Sequence, residues 1–443
     1  MCGLAGIARS SAGPVPAGRL RQMAAALRHR GPDALGSASD DRIGLAHARL
    51  SILDAANGAQ PMDTEDGRLS IVYNGEVFNF LELRDELAAK GHRFTTRTDT
   101  EVVLRGWREW GEELLPRLNG QFAFAIADRV EGTVILARDR FGILPLFHAV
   151  RNGTLYFASE MKALFASGEV EAAVDPRGLD QVFTFWGARA PRTPFAGVSS
   201  LEPGCWARWQ GGRLTIRRWY HIELPGAAEE PAGAEATLGL LLRSAVDHRL
   251  IADVTVGAYL SGGLDSSLVC ALAGRSTPDP LHTYSVTFDD PRFDESAEQR
   301  EVVAGTGSKH AVQRITDGDI GRVFPDVVWH AESPLLRTAP APLFLLSRLV
   351  RERGTKVVLS GEGADELFGG YDLFKDLAVR LFCLRQPHST VRPRLFDRLY
   401  LQDSPGTRGS DFWRQYFIAA GSPDDPLYSH LPRFRQAEWL RGF

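Results

Sequence analysis

The sequence predicts a two-domain α/β protein, β-rich in its first half and built on a parallel sheet in its second. Three observations predict it. The chain has 443 residues, more than a single hydrophobic core of ordinary size accommodates. Short β-branched or aromatic runs crowd the first 200 residues, whereas the later part alternates apolar strands with helical stretches. Between them, PGAAEEPAGAEA (225–236) is rich in Pro, Gly and Ala and reads as a linker. The expected boundaries are 2–200 for the first domain, 201–235 for a connecting segment with the linker, and 236–443 for the second domain.

The individual elements follow from local pattern. LSIVYNG (69–75), QFAFAIAD (121–128), TVILARD (133–139) and TLYFAS (154–159) are strand-like runs bounded by Gly, Asn or Asp. NFLELRDELAAKG (79–91) carries apolar residues at helical spacing and stops on a glycine. In the second half, VTVGAYL (254–260), LHTYSVTF (281–288) and TKVVLS (355–360) are continuous apolar runs, the pattern of strands covered on both faces. RFRQAEWLRGF (433–443) reads as a helix.

Composition removes several function classes. Hydrophobic residues make up 44% and charged residues 24%, an ordinary soluble globular profile. A net charge of −4 offers no basic excess, so no nucleic-acid partner is expected. No apolar run approaches the roughly 20 residues of a membrane helix, so no membrane partner is expected either. The four cysteines, Cys2, Cys205, Cys270 and Cys383, lie far apart with no CxxC pair. That spacing provides neither a zinc cluster nor a disulfide framework and suits a reducing, cytoplasmic setting.

Two stretches carry chemistry. In MCGLAGI, Cys2 is either a bystander thiol or a nucleophile whose base is its own α-amine. A thiol with an ordinary pKa of about 8.5 is mostly protonated at neutral pH, whereas an α-amine near roughly 7.7–8.0 is partly free to take its proton. Gly3 would leave room for a substrate against the backbone. In YLSGGLDSS (259–267), a strand runs into Ser261-Gly262-Gly263 and a helix begins at about Leu264. Glycines, hydroxyls and the positive end of a helix favour an anion there, and no Walker-type lysine is present. Asp265 adds a metal or phosphate role; the bland alternative is a Gly-rich turn.

SGGLDSS resembles the pyrophosphate loop of enzymes that cleave ATP between its α and β phosphates. Together with MCGLAGI it makes the chain similar to the glutamine-dependent asparagine synthetase family. RHRGPD (28–33), LAHARLSILD (45–54), YNGEVFN (73–79), TDTEVVL (98–104), LNGQFAFAI (118–126), ARDRFGILPLF (137–147), SEMKAL (159–164) and LSGEGADELFGGY (359–371) match that family's pattern in order. The resemblance implies an N-terminal αββα Ntn-hydrolase sandwich followed by a Rossmann-like parallel-sheet ATP-pyrophosphatase domain.

It also implies roles. With Met1 removed, Cys2 would attack glutamine, whose carboxylate pairs with Arg49 and whose ammonium is held by Glu76 and Asp99. Leu50, Ser51, Ile52 and Leu53 would complete the glutamine site, and Asn74 and Gly75 would form the oxyanion hole. Asn74-Gly75 also reads as a tight-turn dipeptide, and Arg49 or Asp99 as surface charges. In the second domain, Ser261, Gly262, Gly263, Asp265, Ser266 and Ser267 would cradle pyrophosphate. Leu260, Val286, Ser360 and Gly361 would line the ATP site. Glu362 would assist acyl-adenylate formation, and Asp265 and Asp365 would attend Mg²⁺. The implied reaction adenylates an acceptor carboxylate, aspartate or a related one, and aminates it with ammonia from glutamine. A glutaminase with a defective synthetase half is the alternative, because the family's chains continue further past GGY and the C-terminal part of the second domain is expected to be missing. The resemblance leaves a homodimer open.

Overall fold

The computed structural model describes residues 1–223, 232–399, 422–425, 427–431 and 434. Strands of the first half are β1 (Gly3–Arg9), β2 (Ala34–Ser39), β3 (Ile43–Arg49), β4 (Met62–Asp63), β5 (Leu69–Val77), β6 (Gly120–Asp128), β7 (Thr133–Arg138), β8 (Phe147–Arg151), β9 (Thr154–Ala158), β10 (Ser199–Ser200), β11 (Cys205–Gln210) and β12 (Arg213–Arg218). They form two antiparallel sheets, ordered β10-β8-β9-β1-β3-β2 and β12-β11-β7-β6-β5-β4. The helices packed on them are α1 (Ala17–Ala26), α2 (Phe80–Ala89), α3 (Asp99–Trp110) and α4 (Met161–Phe165), followed by α5 (Pro176–Phe185).

Side-chain alternation sets the layers. In β6, Phe122, Phe124 and Ile126 join Leu83, Leu87 and Val102 beneath α2 and α3. The intervening Ala123, Ala125 and Ala127 face the first sheet and meet Leu4, Leu45 and Phe157. Behind that sheet, α1 and α4 cover Ala5, Ile7, Ala46 and Ala48. The result is the helix–sheet–sheet–helix sandwich expected of the first domain. α2 ends as expected: Gly91 follows the cap with φ of 94°, a conformation that favours glycine.

The stretch 201–235, expected to be a connection, contributes two strands to this sandwich. β11 pairs with β7, matching Trp206 to Ala137 and Trp209 to Val134. Trp209 is buried between the sheets, and Trp206 lies on the helix side against Trp107. Most of the expected linker lies outside the described residues, as does the expected terminal helix at 433–443 apart from Phe434.

The second half begins with α6 (Ala234–Arg249) and places β13 (Val256–Tyr259), β14 (His282–Phe288), β15 (Lys309–Ile315) and β16 (Val357–Leu359) in one parallel sheet, ordered β15-β14-β13-β16. Around it run α7 (Leu264–Ser276), α8 (Ser296–Thr306), α9 (Asp317–Ala331), α10 (Pro340–Glu352), α11 (Ala364–Phe368) and α12 (Asp372–Leu384). Ala258 and Leu260 pack with Val246, Cys270 and Ala273 on one face, and Tyr284 with Leu346 and Leu349 on the other. Both faces are covered, as the apolar runs predict. β15 escapes the hydrophobic pattern because it is an edge strand in which Lys309, His310, Gln313 and Arg314 interrupt the apolar residues. Among the described residues no helix is long and apolar enough to cross a membrane.

The halves meet at a charged junction. Glu160, just before α4, receives hydrogen bonds from His29, from Arg30 at 2.9 Å and from Lys162 at 2.6 Å. Glu332, at the C-terminus of α9, accepts from the backbone N–H groups of Met161 and Lys162 at 2.7 and 2.6 Å, capping α4 from the other domain. Trp329 stacks edge-on with His29 and lies under the Lys162 ammonium at 4.4 Å. Burial alone would push the Glu160 carboxyl up, but His29, Lys162 and Arg30 outweigh it and hold it at about 2.

Two outcomes are expected. Trp209→Ala lowers stability by about 3–5 kcal/mol in urea unfolding, because it empties the inter-sheet core; a mere connector would tolerate it. Glu160 titrates below its unfolded value, so its contribution is full above pH ~4.5 and is lost as pH falls toward about 2. The stability gap between the parent chain and Glu160→Gln therefore narrows across that window in acid titrations followed by circular dichroism.

Candidate active sites

Cys2 sits one residue ahead of β1, opposite the end of β3 in the register that pairs Gly3 with Ala48. Its Sγ accepts the Leu50 N–H at 3.3 Å, and its carbonyl accepts from Arg30 Nε at 2.9 Å. Burial pushes the thiol up, against the Leu50 N–H and the positive chain terminus. Burial and the nearby Arg30 guanidinium pull the terminal amine, here on Met1, down to about 6. A thiol that resists ionising thus lies beside an amine that is readily neutral. The space at Gly3 is not left for a substrate: a Cβ there would lie 2.7 Å from Leu27 Cβ, so the helix exit after α1 fills it.

Opposite, on β5, residues alternate between the two sides of the second sheet. Ile71, Tyr73 and Val77 belong to the helix-side core and Val72 to the inter-sheet core, so Asn74 and Glu76 share the face toward the first sheet. Asn74 is fully buried, and neither its Nδ2 nor its Oδ1 has a hydrogen-bond partner. Such an orphaned amide is costly and calls for a ligand. Asn74-Gly75 lies inside a nine-residue strand paired to β6, so the tight-turn reading falls.

Arg49 and Asp99 are buried, not surface charges. Arg49 donates to the carbonyls of Leu53, Asp54 and Ala55 at 3.3, 2.8 and 2.8 Å, which engages three of its five N–H groups. Asp99 opens α3 and accepts from Tyr73 OH at 2.7 Å and Val77 N–H at 3.1 Å; burial still pushes its carboxyl up. Burial and the Asp99 charge push Glu76 up to about 7. The Cys2 thiol feels both Asp99 and Arg49. The structure therefore brings the charges of Arg49 and Asp99 to bear on the Cys2 thiol and that of Asp99 on Glu76, and the Leu50 N–H onto the sulfur.

The phosphate-loop prediction also has a structural counterpart. Leu260 hydrogen-bonds Tyr284 O at 2.9 Å, and Ser261-Gly262-Gly263 leads into α7, Gly262 adopting φ of 95°. Ser261 Oγ and Ser266 Oγ lie 2.8 Å apart, and Ser267 Oγ donates to Gly263 O at 2.7 Å, so the hydroxyls are turned onto the loop itself. Ser360 and Gly361 follow β16, and a Cβ on Gly361 would lie 2.9 Å from Asp265 Cβ, so the two loops abut. They flank the point where strand order reverses, between β13 and β16, the usual crevice of such sheets. Val286 is on β14, Glu362 follows Gly361, and Asp365 is on α11. Among the described residues no three His, Cys, Asp or Glu side chains converge as a metal cage.

Sequence reasoning missed several supports. Arg30 and Glu160 lie in quoted motifs, yet the 130 residues between them hide their pairing. Gly58 lies so close to Arg49 that a Cβ would sit 2.2 Å from Nη2. Gln299, buried on α8, donates to Ser261 O at 3.3 Å and Val286 O at 3.1 Å and joins the phosphate loop to β14.

Comparison with known proteins agrees with this geometry. Residues 1–220 match the glutamine amidotransferase domain family and residues 237–434 the asparagine synthase family. Asparagine synthetase [glutamine-hydrolyzing] 1 of Bacillus subtilis is 36% identical over 81% of this chain and 56% of its own length. A putative asparagine synthetase [glutamine-hydrolyzing] of Mycobacterium bovis is 37% identical over 86% of this chain and 62% of its own. Asparagine synthetase [glutamine-hydrolyzing] 2 of Arabidopsis thaliana is 35% identical over 80% of this chain and 58% of its own. The chain thus spans somewhat over half the length of these curated relatives. With both halves matched in order, the chain belongs to the family of glutamine-hydrolysing asparagine synthetases.

Proposed function

We propose that the chain is a glutamine-dependent amidotransferase that releases ammonia at Cys2 and uses it to aminate an acceptor carboxylate activated by ATP. The observation that carries this reading is the buried, unpartnered Asn74 amide on the face toward the sheet that bears Cys2. After removal of Met1, the α-amine of Cys2 takes the thiol proton. The thiolate attacks the side-chain amide carbon of glutamine. Asn74 Nδ2 and the Gly75 N–H stabilise the resulting oxyanion. The ammonium of the α-amine returns its proton to the leaving nitrogen as the C–N bond breaks, and ammonia departs. Water then hydrolyses the thioester to glutamate.

The pocket suits a zwitterion. The two remaining N–H groups of Arg49 serve the glutamine carboxylate. Glu76, whose carboxyl sits near pH 7, and Asp99 each gain a charge partner when the ammonium enters. In the second half, Ser261, Gly262, Gly263, Ser266 and Ser267 at the start of α7 bind pyrophosphate, their hydroxyls re-aiming from one another onto the anion. Leu260, Val286, Ser360 and Gly361 line the ATP site, and Glu362 orients the acceptor carboxylate toward the α-phosphate. Asp265, in the first turn of α7, and Asp365, in the first turn of α11, suit Mg²⁺ that would arrive with the nucleotide, which needs few protein carboxylates. The bound ion would neutralise phosphate charge. Aspartate is the acceptor to test first, since it is the carboxylate whose amide the relatives are named for.

Two measurements check this reading. Cys2→Ala abolishes glutamine-driven product but retains ammonia-driven, ATP-dependent pyrophosphate release with aspartate; no pyrophosphate release with any carboxylate would reduce the chain to a glutaminase. Asn74→Ala lowers kcat for glutamine hydrolysis by about 10²–10³-fold with a smaller change in KM, because the amide acts on the developing charge.

A further inference from the structure

The segment that frames Arg49 is finished by the other half of the molecule. Within it, Arg49 binds the carbonyls of residues 53–55, and Asp54 adopts φ of 42°, in the left-handed region. The Asp54 carboxylate ties Asn57 at 2.9 Å and the Arg97 N–H at 2.9 Å. Besides the Ser51 carbonyl, which Lys356 Nζ approaches at 3.5 Å, the Ile52 carbonyl and the Asp54 N–H look outward. Asp253 satisfies the last two: its own N–H donates to Ile52 O at 3.1 Å, and its Oδ2 accepts from Asp54 N–H at 2.8 Å. Arg97 adds a contact to the same oxygen at 3.4 Å, which is solvent-exposed and worth little.

Asp253 stands three residues before β13, the inner strand that leads directly into Ser261-Gly262-Gly263. The peptide that presents Leu50 to Leu53 at one site is therefore pinned to the strand that ends in the loop of the other. We infer that Asp253 is a positioning residue for glutamine, holding the 50–58 segment in the conformation that leaves Arg49 aimed at the substrate. The inference rests on the amidotransferase reading above. A glutamine-free route to product does not need the pin.

The test compares glutamine kinetics and ammonia-driven pyrophosphate release in the parent chain, Asp253→Ala and Asp253→Asn. Asp253→Ala raises KM for glutamine about tenfold or more, leaves kcat within about twofold, and leaves ammonia-driven activity at parent level. Asp253→Asn keeps an acceptor for the Asp54 N–H and restores KM to within about threefold. An unchanged KM in Asp253→Ala, a parallel loss of both activities, or an Asn variant no better than Ala overturns the inference. Should Asp253→Ala not fold, Asp253→Glu displaces the same oxygen; a raised KM with intact ammonia use supports the pin, and a parent-like KM overturns it. Absence of glutamine hydrolysis in the parent chain would instead sink the amidotransferase reading, which keeps the two failures apart.

Discussion

A buried carboxylate must be compensated, and Glu160 is the carboxylate on which this architecture turns. Desolvation opposes its charge, yet the Arg30 guanidinium, the Lys162 ammonium and the His29 imidazole, drawn from the exit of α1 and the start of α4, surround it. One of them, Arg30, also grips the Cys2 carbonyl, so the same ion pair that anchors α4 fixes the first residues of the chain. Lys162 passes the arrangement to Glu332 across the domain boundary at 3.0 Å. The position of the thiol, the seating of α4 and the contact with α9 thus share one electrostatic origin.

The group of residues around Cys2 runs against stability. It gathers a thiol pushed up by burial, two carboxyls pushed up by burial, an amide without partners and a guanidinium closed in by Gly58. No apolar core would choose these residues, since each leaves a polar or charged group buried at a cost. Charges from the second half also reach inside: Arg351 acts on the terminal amine and Arg249 on Glu76. The site is built by one domain and tuned by the other.

Local pattern made most of the framework legible. The aromatic run at 121–128 gave the strand, while its two faces emerge from the packing, and the apolar runs at 254–260 and 281–288 announced a sheet covered on both sides. β15 stayed hidden because an edge strand needs no apolar face, and β11 because its partner lies some seventy residues earlier, at β7. The site divides in the same way. Cys2, Asn74 and SGGLDSS stand in compact motifs, whereas Arg30 with Glu160, or Asp253 with Asp54, meet only through tertiary contact. Gly3 misled, since nothing in the sequence tells that Leu27 occupies its vacant side.

The alanines of β6 have one more consequence. The thiol hangs from the first sheet and the unpartnered amide from the second, so the gap between them is gauged by how thinly Ala123, Ala125 and Ala127 let the two sheets stack. Methyl groups act here as shims. Bulkier side chains at Ala125 and Ala127 would wedge the layers apart and draw thiol and amide out of register, and one at Ala123, which pairs with Asn74 across the strands, would crowd the amide itself.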